Sequence, residues 1–204
     1  MRSSLEMRLA IASRNVKKTN EMRVILGSLL DPRYSLADLN EFPDFEEPEE
    51  SGATYAQNAA IKAEFSSSRL DEWCIADDAG LEIDALNGEP GVYSKRFGGV
   101  GTPFEQKIRA ILSQMQNANG DERSARFRCA VAIARPGFPT QILSSVREGL
   151  IAREPRGQNG FGYDPIFLIP ELGRTMAELE PEEKNRISHR GIVLAEAAAW
   201  LNAL

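Results

Sequence analysis

Histidine is almost missing from this chain of 204 residues, which holds only His189. Composition leaves its role open among general base, metal ligand, donor to a bound base and surface residue. Cysteine is nearly as scarce. Cys74 and Cys129 both lie in apolar, strand-like stretches, which predicts reduced core residues of a cytoplasmic protein and disfavours a disulfide. No run of about 18 apolar residues occurs, so no membrane partner is expected. The opening "MRSSLEMRLAIAS" lacks a long apolar core and does not read as a secretory signal. Basic charge is also short: 24 Lys and Arg against 30 Asp and Glu give −6. That balance speaks against a duplex nucleic-acid partner, while leaving room for local lysines to bind a small polyanion.

What is present is ordinary for a globular protein, at 42% hydrophobic and 26% charged residues. The length suits one domain with a sizeable core, and no repeat, low-complexity tract or linker is visible. "MRLAIAS" (Met7 to Ser13) predicts a buried strand, and "NVKKTNEMRVILGSLLDP" a helix with Met22, Ile25, Leu26, Leu29 and Leu30 at helical spacing. "YSLADLNEF" is a second strand, and residues 53–70 are helical with Ala56, Ala59, Ala60, Ala63 and Phe65. "WCIADDAGLEIDAL" reads as strand, turn and strand. "TPFE" (Thr102 to Glu105) and "TMAE" (Thr175 to Glu178) read as capping boxes, the first opening a helix to about Gln116. "ARFRCAVAIARP" and "TQILSSVREGLIAREP" are long strands joined at "GFP"; "PIFLIP" is a short strand; "GIVLAEAAAWLNAL" is a terminal helix. The expected fold is one mixed α/β domain over residues 1–204, elongated into two lobes around a central groove.

Five stretches carry chemistry. In "ASRNVKKTNE", Ser13, Asn15, Lys17 and Lys18 occupy a strand-to-helix loop, where backbone N–H groups and lysines suit a phosphate; it is not a Walker loop. In "IADDAGLEIDAL", Asp77 and Asp78 can hold Mg²⁺ or orient water, or can simply shape a turn. The acidic stretch before Gly52 offers Glu50 as a second metal oxygen, and the helix after it carries Asn58 and Lys62. In "GQNGFGYDPIF", Phe161 or Tyr163 can stack on a base and Asp164 can accept from a ring N–H. Lys184, Ser188, His189 and Arg190 form a donor-rich run before the last helix, with Ser188 also able to cap that helix.

Taken jointly, "SRNVKKTNE", "NAAIKA", "ADDAGLEIDALNGEPGVYSKRFGG", "GFGYDPIF" and "EKNRISHRG" resemble the inosine triphosphate pyrophosphatase family, in the family's order from about Leu9 to Leu194. Its members hydrolyse deaminated purine nucleoside triphosphates to the monophosphate and pyrophosphate. The likeness implies a triphosphate-binding loop at Ser13, Arg14, Asn15, Val16, Lys17 and Lys18, with Lys62 helping on the phosphates. It implies Mg²⁺ at Glu50 and Asp78, with Asp78 also the proton acceptor, and Asp77 and Lys18 beside it in the chemistry. It implies a base and sugar pocket of Phe161, Gly162, Tyr163 and Asp164, and base selection by Lys184, His189 and Arg190. It also implies a cytoplasmic homodimer. Three positions depart from the family loops: Arg14 and Lys17 stand where glycines are common, and Ala79 replaces a serine, keeping only its backbone N–H toward substrate.

The expected selectivity rests on O6 of hypoxanthine and xanthine, an acceptor where adenine presents a donor. A pocket lined by donors such as Arg190 and backbone N–H groups near His189 would favour the acceptor. Under this expectation His189 sits at the specificity end of the site, and "ADDAG" at the chemical end. Rival readings are a pyrophosphatase of similar fold for pyrimidine or methylated nucleotides, a nucleotide sensor without turnover, and a structural domain with solvated charged loops.

Overall fold

The structure, a computed structural model, describes residues 7–204; the part of the leader reading that rests on residues 1–6 lies outside them. Leu9, Ala10 and Ile11 are fully buried because β1 (Met7–Ile11) is interior to the sheet. It pairs in parallel with β2 (Tyr34–Asp38) on one side and β3 (Trp73–Ile83) on the other. Parallel neighbours need long crossovers. Helix α1 (Val16–Leu29) makes the first and α2 (Tyr55–Leu70) the second. With β4 (Ser124–Ala134), β5 (Gln141–Ile151), β6 (Phe167–Ile169) and β7 (Arg174–Thr175), the strands form one seven-stranded mixed sheet in the order β2-β1-β3-β4-β5-β6-β7. The mixed α/β class is as expected.

The chain divides into two compact units. Of the described residues, the first comprises 7–78, 129–145 and 190–204. Its core includes Leu9, Ile11, Met22, Leu26, Leu39, Ile75, Val131, Ile133, Val193, Leu194 and Leu201. Helix α5 (His189–Asn202) is anchored at its C-terminal end, where the Leu201 carbonyl accepts from the Tyr34 hydroxyl at 2.6 Å. The second unit comprises residues 79–128 and 146–189. Its core joins Leu81, Ile83, Phe127, Ile151, Ile166 and Phe167 to Ile108 and Ile111 of α3 (Phe104–Gln114). Cys74 and Cys129 are free and buried, and burial pushes both thiols up to about 12.

Two local expectations are corrected. Asp77 and Asp78 sit inside one uninterrupted 11-residue strand rather than at a turn. Gly80 has no left-handed backbone there; the chain turns later, at Asn87 and Gly88, which do. Turn preference lost to tertiary partners, because each aspartate finds cationic or amide donors within the first unit. Likewise "TPFE" forms no capping box: Pro103 is the helix cap, and the Thr102 hydroxyl donates to the Gly98 carbonyl at 2.8 Å. Helix α2 forms as expected, and its buried face is half polar, with Asn58, Lys62, Ser66 and Ser67 beside Ala59 and Ala63. The "TMAE" box is present, with Glu178 accepting from the Thr175 N–H at 2.7 Å, but it heads a single 3-10 turn.

Candidate functional site

Strand order gives the first clue. From β1 the chain crosses to β2 on one side, then returns to β3 on the other, so β1 and β3 flank a switch point. In open α/β sheets ligands bind beyond the carboxyl ends of the strands at such points. The loop leaving β1 runs through Ser13 into α1, which carries Lys18, and Asp77 and Asp78 follow the β1-paired residues of β3 by two and three positions.

The loop is built to open a helix. Asn15 is the N-cap of α1, its side chain accepting from the Lys18 N–H at 3.3 Å, and Ser13 Oγ accepts from the Asn15 N–H at 3.1 Å. The first-turn N–H groups of Val16 and Lys17 donate to no described residue, as befits the start of a helix. Lys17 and Val16 are exposed. Arg14, expected among the phosphate ligands, is placed otherwise. Its Nη2 donates to the carbonyls of Phe42, Pro43 and Phe45, and its Nε to that of Phe45.

Successive side chains of a strand point to opposite faces, and the two aspartates accordingly meet different helices. Asp77, 2% exposed, pairs with Lys18 of α1 at 3.2 Å and accepts two hydrogen bonds from Arg190 of α5, at 3.0 and 2.9 Å. Asp78 accepts from Asn58 of α2 at 3.1 Å and lies 3.5 Å from the Lys62 ammonium. Lys62 also donates to Glu50 at 3.2 Å and to the Asp77 carbonyl at 2.7 Å. Asp77 and Asp78 are therefore not a paired acid–base couple; each has its own set of donors.

The electrostatics separate them further. Burial would raise the Asp77 carboxyl, but Lys18, Arg190 and Lys62 outweigh it and hold it well below the usual carboxylate range. Burial also dominates at Asp78, and there it wins: with Glu50 adding like charge, the carboxyl rises above its ordinary value despite Lys62 and Lys18. Lys18 is lowered, by burial first and then by Lys62 and Arg190. Lys62 is raised, because Asp78, Asp77 and Glu50 more than offset its burial.

Two contributors were not read from sequence as site residues. Glu21 accepts from Arg190 at 2.6 Å. Its signal was its place one turn after Lys18 on α1. Asn58 holds Asp78 and, through its side-chain carbonyl, the Gly52 N–H at 2.8 Å; its signal was the i, i+4 spacing to Lys62. A side chain at Gly52 would meet that Asn58 oxygen at 2.7 Å, so glycine is required where the acidic loop joins α2. Four carboxylates (Glu21, Glu50, Asp77 and Asp78) against three cations (Lys18, Lys62 and Arg190) leave the cluster net negative before any anion arrives. Among the described residues no group of three His, Cys, Asp or Glu side chains forms a metal cage. Glu50 and Asp78 supply hard oxygens whose charge is only partly balanced, which fits a divalent cation that a ligand's own oxygens complete.

The second unit holds the other predicted stretch. Asp164, 3% exposed, accepts from the Lys184 ammonium at 2.8 Å and from the Phe161 N–H at 2.8 Å. Gly160 (φ +71) permits this, since a side chain there would lie 2.2 Å from the Asp164 carboxylate. Lys184, on α4 (Pro181–Ile187), also lies 4.7 Å from the Phe161 ring centre. Gly162 adopts φ +69 in the same loop. Of the two aromatics offered for stacking, Tyr163 is spent on structure. It is 3% exposed, packs edge-on to Phe104 and donates its hydroxyl to the Ser94 carbonyl at 3.0 Å. Phe161 is half-buried. His189 is 5% exposed and stacks on Phe127 at 4.6 Å between ring centres. Ser188 joins α4 to α5, and Ala79, half-buried in β3, presents only a methyl group as side chain. Arg190, expected beside His189 in base selection, instead belongs to the Asp77 cluster of the first unit, because buried Asp77 and half-buried Glu21 take its guanidinium.

A cluster of lysines, arginine and carboxylates at the switch point defines a mixed α/β protein with a charged site at the ends of its parallel strands. The Ham1 family model matches residues 9–200. A dITP/XTP pyrophosphatase of Geobacillus kaustophilus is 45% identical over 188 residues, covering 92% of this chain and 91% of that protein. One from Bacillus subtilis is 44% identical over 194 residues, covering 95% and 96%. The solved HAM1 protein of Coxiella burnetii superposes with a TM-score of 0.87 at 40% identity, covering 97% of this chain and all of the other. This chain belongs to the Ham1 family.

Proposed function

We propose that this protein hydrolyses deaminated purine nucleoside triphosphates, such as dITP, XTP and ITP, to the monophosphate and pyrophosphate. The observation that carries the proposal is the first-unit cluster in which Lys18, Lys62 and Arg190 alternate with Glu50, Asp77 and Asp78. Relatives 44–45% identical over more than nine-tenths of the chain are dITP/XTP pyrophosphatases, which supports it.

In this mechanism Lys18, Lys62 and the first-turn N–H groups of Val16 and Lys17 take up phosphate oxygens. A bound polyanion restores the charge that burial weakens on Lys18. Asp77 stays ionised and holds Lys18 and Arg190 in place. Asp78, raised by its burial and steadied by Asn58, accepts the proton of a water attacking the α-phosphorus, and that proton rests on an Asp78 oxygen. Glu50 and Asp78 would hold Mg²⁺ together with substrate oxygens, and the ion when bound neutralises charge growing on the pyrophosphate. In the second unit Phe161 stacks on the purine, and Lys184 with backbone N–H groups around His189 supplies donors to O6; adenine would present its own donors to them. Two buried free cysteines support a reducing, cytoplasmic setting, and the family likeness supports a homodimer. Among the described residues no helix is long and apolar enough to cross a membrane.

The test is a substrate panel with and without Mg²⁺, with products separated as pyrophosphate or orthophosphate. Mg²⁺-dependent pyrophosphate release from dITP, XTP and ITP, far above that from ATP, is expected. Orthophosphate as the product, a pyrimidine preference, or no turnover would overturn the proposal.

A further inference from the structure

The segment that delivers Glu50 has almost no structure of its own. Residues 43–53 form neither helix nor strand and include Asp44, Glu46, Glu47, Glu49 and Glu50, whose like charges repel within a short stretch. Glu50 is nevertheless held against Lys62. One end of the segment is fixed at Gly52 by Asn58, and Phe45 meets Phe65 of α2 edge-on at 5.9 Å. A further anchor is Arg14. Its Nη2 donates to the Phe42 and Phe45 carbonyls, both at 2.6 Å, and to Pro43 at 3.1 Å; its Nε donates to Phe45 at 3.1 Å. Its backbone N–H meets the Glu47 carboxylate at 3.2 Å.

We propose that Arg14 is a positioning residue that staples residues 42–45 to the loop after β1 and so fixes where Glu50 meets Lys62 and a bound cation. The proposal rests on the reading that Glu50 serves Mg²⁺, and it replaces direct phosphate binding as the role of Arg14. A planar fork suits several carbonyls from one turn; a lysine's point charge serves fewer. Glycine, common at this position in the family loops, has no side chain to do this, so the staple is a property of chains that carry arginine here.

The experiment compares the full-length protein with Arg14→Ala and Arg14→Lys. The first readout needs neither metal nor nucleotide: hydrogen exchange of the amides in residues 44–52. Loss of the staple should speed exchange there by about tenfold or more, equivalent to one or two net hydrogen bonds, with Arg14→Lys intermediate. The second readout is turnover against Mg²⁺. Because groups that orient a metal's ligands are typically worth about 10–100-fold in metal affinity, half-saturating Mg²⁺ should rise about tenfold in Arg14→Ala. The nucleotide KM at saturating Mg²⁺ should stay near that of the parent. Unchanged exchange in the alanine variant would overturn the staple, as would a KM increase at saturating Mg²⁺ with the loop undisturbed. If the parent protein hydrolyses no nucleotide, the proposed function fails, while the exchange comparison still decides the staple. If Arg14→Ala does not fold, faster exchange in Arg14→Lys supports the staple, and parent-like exchange overturns it.

Discussion

Removing Arg190 should cost stability before it alters base preference. The side chain is 4% exposed; it donates twice to Asp77 and, at 2.6 Å, to Glu21. Arg190→Ala leaves both carboxylates in place, with Lys18 still facing Asp77 at 3.2 Å. Breaking a buried pair from one side costs about 3–5 kcal/mol. At roughly 2–4 °C per kcal/mol for a chain of this size, Tm should fall by about 6–20 °C. The pH dependence gives a second handle. Burial acts to raise the Asp77 carboxyl, yet Lys18 and Arg190 depress it far below its unfolded value of about 3.9. A depressed carboxylate contributes stability that is fully present above the unfolded value and is lost as pH falls toward the folded one. The parent should therefore lose stability below about pH 4, and the variant should lose less over the same window because its Asp77 is less depressed. Urea unfolding from pH 7 down to pH 3 measures both effects, and kcat/KM for ITP and ATP completes the test. The two substrates should fall together. A variant within about 1 kcal/mol of the parent, with the same acid slope but a collapsed ITP/ATP ratio, would refute the assignment and return Arg190 to base selection.

Asp78→Asn should lower kcat for ITP by about 10²–10⁴ with unfolding near that of the parent; near-normal turnover would remove Asp78 as proton acceptor. Phe161→Ala should weaken substrate binding by about 1–3 kcal/mol, raising KM with a smaller change in kcat. Tyr163→Phe, which loses only the hydroxyl bond to Ser94, should instead cost about 0.5–1.5 kcal/mol of stability and leave KM unchanged.

Why some of this was legible in the sequence and some was not follows from how each residue is satisfied. Strand β1, helix α1 and the β4–β5 pair announce themselves through periodicity, because their apolar residues recur at the repeat of the element. The glycines of "GQNGFGYD" likewise marked a loop, and Gly160 shows the close approach that requires one. Asp77 and Asp78 misled because turn chemistry is local, whereas their donors come from α1, α2 and α5, up to 113 positions away. Residue type at Arg14 and Arg190 pointed to anions, and the actual partners, loop carbonyls and buried carboxylates, lie 28 to 169 positions away in the chain. Arginine is the residue in which this ambiguity is greatest, since one planar fork suits phosphate, carboxylate and carbonyl equally. Lysines 18 and 62 differ for a geometric reason: each sits on a helix turn next to a named loop, so its reach is bounded by the motif itself. Assigning a guanidinium to a ligand therefore requires first showing that no buried carboxylate or loop carbonyl already takes it, and for Arg14 and Arg190 one does.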